Sequence, residues 1–330
     1  MKIFKAVIFV IGLATLGLLL WKLDAFEVMR LIAKVGWFGF AVILLQEAVP
    51  HAFNAMGWRY AVEPKDVRLF RFKDLFLHRI QGDGVNYLTP SATIAGEFTR
   101  ALLVDNSVPA SVRMGSVARA KCTQSLAQIG FCLSVAAWLY PADGARLPLG
   151  VSLRAACLSV LGLMAVAGLF LHAWVRRRSA REDESVPGHW LKSVPGQVRD
   201  FYARYPLRWW ISTGFFVLGY AWTLLEIWWI CLCLGVRVDA RTALLIEALS
   251  GIADMAFFMV PAKVGTQEAG KTAIFHILGL GARTGLALGI IRHIRELVWA
   301  SFGMGLYVVE LRRNPDASLR VRPEPLTSEA

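Results

Sequence analysis

The chain has 330 residues, 56% of them hydrophobic, including 12 Trp and 19 Phe, against roughly 45–50% apolar content in ordinary soluble domains. Its formal charge is +12, but the Lys and Arg sit in short stretches between apolar blocks. That arrangement argues against a nucleic-acid-binding module and for basic loops facing an anionic membrane leaflet. The apolar blocks run to about 20 residues, the length that spans a bilayer as a helix, so the expected fold class is an all-α polytopic membrane protein. The five cysteines, Cys122, Cys132, Cys157, Cys231 and Cys233, all fall in predicted spans with no metal-ligand spacing. They are read as small buried apolar residues, and no metal or other cofactor is expected.

In chain order, residues 3–21 form an apolar run after Lys2 and Lys5 with no small-x-small cleavage site behind it. They are read as an uncleaved first span within an N-terminal anchor, 1–36. A second span, 37–58, holds Gln46, Glu47, Pro50, His51 and Asn54. Spacings of three or four put Glu47, His51 and Asn54 on one helix side, which must turn away from lipid. Residues 59–74 make a basic loop. The next stretch, 75–103, is too polar to cross alone and too apolar for a free loop. A re-entrant pair of short helices broken near Gly84–Pro90 satisfies both conditions. Residues 112–140 form a third span with Arg119 and Lys121 in its first half, and 150–174 a fourth. The connection 175–206, opening with Arg176-Arg177-Arg178, is expected in the cytoplasm. A fifth span at 208–234, a second broken stretch at 242–279 and a sixth span at 283–311 follow, and 312–330 is expected to be a disordered cytoplasmic tail.

A shift of 171 positions, the separation of Asp83 from Asp254, superposes two parts of this pattern. Asp83, Pro90, Glu97, Arg100 and Lys121 then fall on Asp254, Pro261, Glu268, Lys271 and Arg292. This defines two repeats, 37–140 with hairpin 75–103 and 207–311 with hairpin 242–279, joined by 141–206. With both hairpins re-entrant, about six helices cross, three crossings separate the repeats and the repeats are inverted, as in many transporters. The basic loops then place both termini in the cytoplasm of a cell with this protein in its inner membrane. The rival count lets 242–260 cross fully and gives seven spans.

Asp83, Pro90, Glu97, Arg100, Arg119, Lys121, Asp254, Pro261, Glu268, Lys271, Arg292 and Arg295 are the candidate substrate-binding residues, with Glu47, His51 and Asn54 as a secondary group. Arginine forks and lysine ammonium groups hold phosphates, and helix starts after Pro90 and Pro261 would add free N–H groups. The competing reading makes Glu97–Arg100 and Glu268–Lys271 self-neutralising i,i+3 pairs that hold the hairpins, and makes Asp83 and Asp254 caps at the helix breaks.

The stretch "VPAKVGTQEAG", followed by "ALGIIRHIRELVW", resembles the C-terminal signature of the flippase-like membrane family that includes the transmembrane part of lysylphosphatidylglycerol synthases. "DGVNYLTPSATIAGEFTRALLV" resembles its first motif, with Gly96-Glu97 after Pro90, and the hopanoid-biosynthesis-associated branch is the most similar. The resemblance implies a lipid-translocating or lipid-delivering protein and points to Pro90, Gly96, Glu97, Pro261, Gly265, Glu268, Arg292 and Arg295. Ala262-Lys263 stand where the family has a glycine pair. The expected function is therefore a lipid transporter carrying a hopanoid or an anionic phospholipid, with no enzymatic activity. The alternatives are a non-transporting partner of lipid-biosynthesis enzymes and a membrane-embedded lipid-modifying enzyme.

Overall fold

A computed structural model describes residues 2–89, 94–105, 107–139, 189–256 and 260–313. Pro90, the predicted fourth span 150–174, the Arg176-Arg177-Arg178 run and the predicted tail beyond Arg313 lie outside the described residues. Among the described residues every regular element is helical. The first helix, α1 (Lys2–Lys22), covers the predicted first span.

The rest of the predicted N-terminal anchor, beyond the span 3–21, contains a second helix, α2 (Ala25–Ala33). Asp24 starts it, its carboxylate accepting hydrogen bonds from the amides of Phe26 (3.1 Å) and Glu27 (3.5 Å). Val28 and Ile32, one turn apart, then face a core shared with Ile227, Ile230, Phe275 and Leu286. The predicted second span divides into α3 (Gly36–Gln46) and α4 (Ala48–Tyr60), with the break at Glu47. Pro50 explains it: proline has no N–H to donate to the Gln46 carbonyl, and its ring crowds that group.

Three helices build the first repeat onward: α5 (Phe72–Leu88), α6 (Ile94–Leu103) and α7 (Ala110–Leu139). Then α8 (His189–Arg204) leads into α9 (Pro206–Cys233), which begins on a proline at its first position. The second broken stretch comprises α10 (Ala240–Ala256), a short 3-10 turn at Pro261–Lys263 and α11 (Thr266–Ile277), followed by α12 (Ala282–Arg313). Under the 171-residue shift, α5, α6 and α7 fall on α10, α11 and α12 within three residues at every end. The packing matches as well. In one half α5 lies on α6 and α6 on α7; in the other α10 lies on α11 and α11 on α12. Across the halves, α5 packs on α12 and α10 on α7, while α4 packs along α9.

Polarity is distributed inside out relative to a soluble protein. Trp21, Phe26, Trp37, Phe38, Leu45, Trp210 and Phe302 are exposed, Trp37 at 95%. Arg100, Arg119, Glu226, Glu268, Lys271, Arg292 and Arg295 are buried. An apolar coat around an ionic interior is what a hydrocarbon solvent selects, since lipid cannot solvate the charges. Among the described residues α9 is the one helix long and apolar enough to cross a bilayer by itself. The stretch from α2 through α4 passes that test only as a pair bent by 78°. At 30 and 32 residues, α7 and α12 also have the length, but charges on their inward faces interrupt their apolar runs.

Candidate functional site

The two broken stretches and the long helices behind them enclose a cavity of about 590 Å³. In the first half, α5 and α6 meet at Gly96, where an added Cβ would stand 2.1 Å from the Gly82 carbonyl oxygen. Only glycine permits that approach. It brings Arg100 of α6 against Asp83 of α5, with which it forms a short ion pair, while Arg100 also donates to Glu97 at 2.6 Å. Arg79, one turn before Asp83, donates to its other oxygen at 3.0 Å. Lys121 on α7 completes the chain, reaching Glu97 at 3.2 Å. Glu97–Arg100 is thus the expected i,i+3 pair, and Asp83 serves as an ion-pair centre rather than a helix cap.

The second half carries the corresponding residues with different partners. Asp254 pairs with Lys263 at 3.0 Å, not with Lys271. Glu268 does not pair with Lys271 either. One of its oxygens accepts the Gly265 amide at 2.8 Å, and the other shares a 2.5 Å hydrogen bond with His293 Nδ1. Lys271, 2% exposed, makes no hydrogen bond or ion pair with a described residue. The rewiring follows from the turn between α10 and α11. Ala262 and Lys263 both have positive φ, 50° and 53°. This left-handed region costs a residue with a Cβ about 1–2 kcal/mol. It also swings the Lys263 ammonium onto Asp254, where the arginine of the first half would stand. Gly265, at φ 76°, lies against α1, and an added Cβ there would meet the Gly12 carbonyl oxygen at 1.9 Å.

Behind this turn, α12 sets two arginines into a buried carboxylate network. Arg292 donates to Glu226 (2.9 Å) and Glu247 (3.0 Å). Arg295 donates to Glu226 (2.5 Å), Glu47 (2.7 Å) and Glu296 (3.5 Å). Glu296 also accepts from Gln267 at 3.0 Å. His51 lies between the two charge networks, with Nδ1 3.5 Å from Asp83 and Nε2 4.0 Å from Glu47, and its ring lies 5.0 Å from Trp299.

Of the residues singled out from sequence, Glu47, His51, Asn54, Asp83, Glu97, Arg100, Lys121, Asp254 and Arg295 line the cavity. Glu268, Lys271 and Arg292 are buried off its wall. Arg119 is not part of it. It donates to the Ala61 carbonyl (2.9 Å), pairs with Glu63 (3.8 Å) and covers the Phe201 ring. Pro261 supplies the first residue of the 3-10 turn. Arg79, Glu226, Glu247, Lys263 and Glu296 belong to the charge networks and were not among the candidates. Two had a legible signal: Arg79 stands four before Asp83, and Glu226 is a lone carboxylate in an otherwise apolar span. Glu247 and Lys263 had none, because their partners are distant in sequence or depend on the turn. No group of three metal-ligating side chains occurs among the described residues.

An all-helical protein with an apolar exterior and a charge-lined interior cavity is an integral membrane protein built around a polar site. Residues 3–303 match the family described as "Lysylphosphatidylglycerol synthase TM region", and the chain belongs to that family. No curated protein and no solved structure matches the chain.

Proposed function

We propose that the protein moves a lipid between leaflets, the head group passing through the cavity between the two halves while the acyl or ring tails stay in the bilayer. One observation carries the reading: a cavity of about 590 Å³, within the usual range for ligand sites, is walled by charged side chains from both halves in a protein of a lipid-associated membrane family. Buried ion pairs are a costly way to stabilise a fold compared with apolar packing. Lining a cavity with them is accounted for if a polar head group must leave water there.

The matching helix boundaries support an inverted repeat. In this reading α5–α6 and α10–α11 are re-entrant hairpins entering from opposite faces, and both termini lie in the cytoplasm at the inner membrane. Two pseudo-symmetric halves then supply two exchangeable states, open to either side. The family description names a synthase, which favours a second reading: the protein hands its lipid to or from lipid-biosynthesis enzymes as their membrane partner. In both readings it carries lipid and does not modify it.

The test is reconstitution of the pure protein in vesicles holding acyl-chain-labelled lipids, with leaflet exchange followed by reduction of the outer-leaflet label. Wild type should exceed empty vesicles, and Glu97→Gln, which removes the partner of Arg100 and Lys121, should lower the rate. Exchange no faster than in empty vesicles would sink the proposal, and lipid of new mass would replace it with an enzyme.

A further inference from the structure

The charges on the cavity wall balance, but they do so between its two ion-pair networks rather than within each network. On the α5–α7 side, Asp83 and Glu97 face Arg79, Arg100 and Lys121, one positive charge in excess. In the α10–α12 network, Glu47, which enters from the α3–α4 break through its pair with Arg295, joins Asp254 and Glu296 against Lys263 and Arg295, one negative charge in excess. The deficit there is deeper than the wall shows, since Arg295 is shared with the buried Glu226. Arg292, behind it, is itself taken by Glu226 and Glu247. The buried Glu268 and Lys271 add one charge of each sign and leave the balance unchanged. His51, as a neutral imidazole between the two networks, adds no charge to either.

At membrane depth the net charge of wall plus cargo sets the cost of occupying the cavity, because unbalanced charge is poorly solvated there. An anionic head group would leave a whole negative charge uncompensated. A neutral polyol would leave the balance intact but neutralise neither end. A head group with a phosphate and a separate cationic group matches both ends, phosphate against the guanidinium and ammonium groups and cation against the carboxylates. We infer that the cargo is a zwitterionic phospholipid, its phosphate at the Arg79–Arg100–Lys121 end and its cationic group at the Glu47–Glu296–Asp254 end. This rests on the translocation reading above. It replaces the expected hopanoid or anionic phospholipid by a lipid whose head group carries two charges separated along the cavity.

The experiment compares three acyl-labelled lipids in vesicles containing the full chain: a phosphatidylethanolamine, a phosphatidylglycerol and a neutral glycosyl diacylglycerol. The zwitterion should exchange about tenfold faster than either of the others, the equivalent of ~1.4 kcal/mol. Lys121→Glu, at a half-exposed position, turns the positive end negative and should cost most of that advantage, whereas Lys121→Arg should keep it. Phosphatidylglycerol or the glycolipid moving as fast as the zwitterion would overturn the inference while leaving translocation standing. Movement of none of the three would overturn translocation. In that case native mass spectrometry of lipid retained by the purified protein decides the head-group question, and retention of the anionic lipid over the zwitterion would overturn the inference as well.

Discussion

Arg295 is the side chain on which the second charge network turns. It is 6% exposed and donates to Glu226 at 2.5 Å, Glu47 at 2.7 Å and Glu296 at 3.5 Å. Replacing it by Met keeps the volume and removes the charge. Glu226 would still hold Arg292, and Glu296 would still hold Gln267, but Glu47 would be left with only His51 at 4.0 Å. Removing one partner of a buried pair costs about 3–5 kcal/mol, because the other charge stays buried. Arg295→Met should therefore lose about that much stability. Arg295→Lys keeps the charge, and one ammonium can stand in for the single Nη1 that Glu47 and Glu226 share, but it gives up the Nη2 bond to Glu296 and should lose about 0.5–1.5 kcal/mol. Adding Glu47→Gln to Arg295→Met removes the orphaned charge and should recover about 1–3 kcal/mol, a coupling expected only of groups in direct contact. Equilibrium unfolding of the purified variants in detergent measures all three. A Met variant within about 0.5 kcal/mol of wild type, or no recovery in the double variant, would refute the assignment of Arg295 as the shared counter-ion.

Ala262→Gly should stabilise the protein by about 1 kcal/mol in the same unfolding assay, since Ala262 holds φ 50° and glycine adopts it without a Cβ clash. Gly265→Ala should cost about 1–3 kcal/mol, because the new methyl group would have to displace the α1 backbone at Gly12. Cysteines placed at Ala95 and Thr266, equivalent positions at the starts of α6 and α11, should react with impermeant reagents from opposite faces of oriented vesicles. Reaction from the same face would end the inverted reading. Asp239, in the loop before α10, accepts from the Thr242 side chain and amide, the latter at 2.9 Å, and these bonds hold its carboxyl below the usual range. A lowered carboxylate favours the fold above its unfolded pKa of about 4 and loses that support as pH falls below it. The protection of the Thr242 amide, its exchange rate measured against that of an unprotected amide at the same pH, should accordingly be weaker at pH 3 than at pH 6, and unchanged protection would show that the cap does not hold α10.

The helical class, the membrane setting, the family and the position of most long helices are legible in the amino-acid order alone. Apolar runs of spanning length, charges confined between them and a 171-residue echo of Asp, Pro and Glu are local or periodic signals, and they survive in one dimension. That order also supplied nine of the side chains that line the cavity, because a charge in an apolar run has few places to go. Partner choice was decided by the tertiary structure. An i,i+3 spacing offered Glu268 to Lys271, but the left-handed turn at Ala262-Lys263 and the approach of α12 gave Glu268 to His293 and Asp254 to Lys263. Glu226 and Arg295 are 69 residues apart, and Glu47 and Arg295 are 248 apart, so no local pattern could join them. The short α2 was missed for the same reason: its two core residues make sense only once α9, α11 and α12 provide the surface they cover. A buried charge is legible in a sequence as a cost. Which opposite charge offsets it is a property of the packed helices alone.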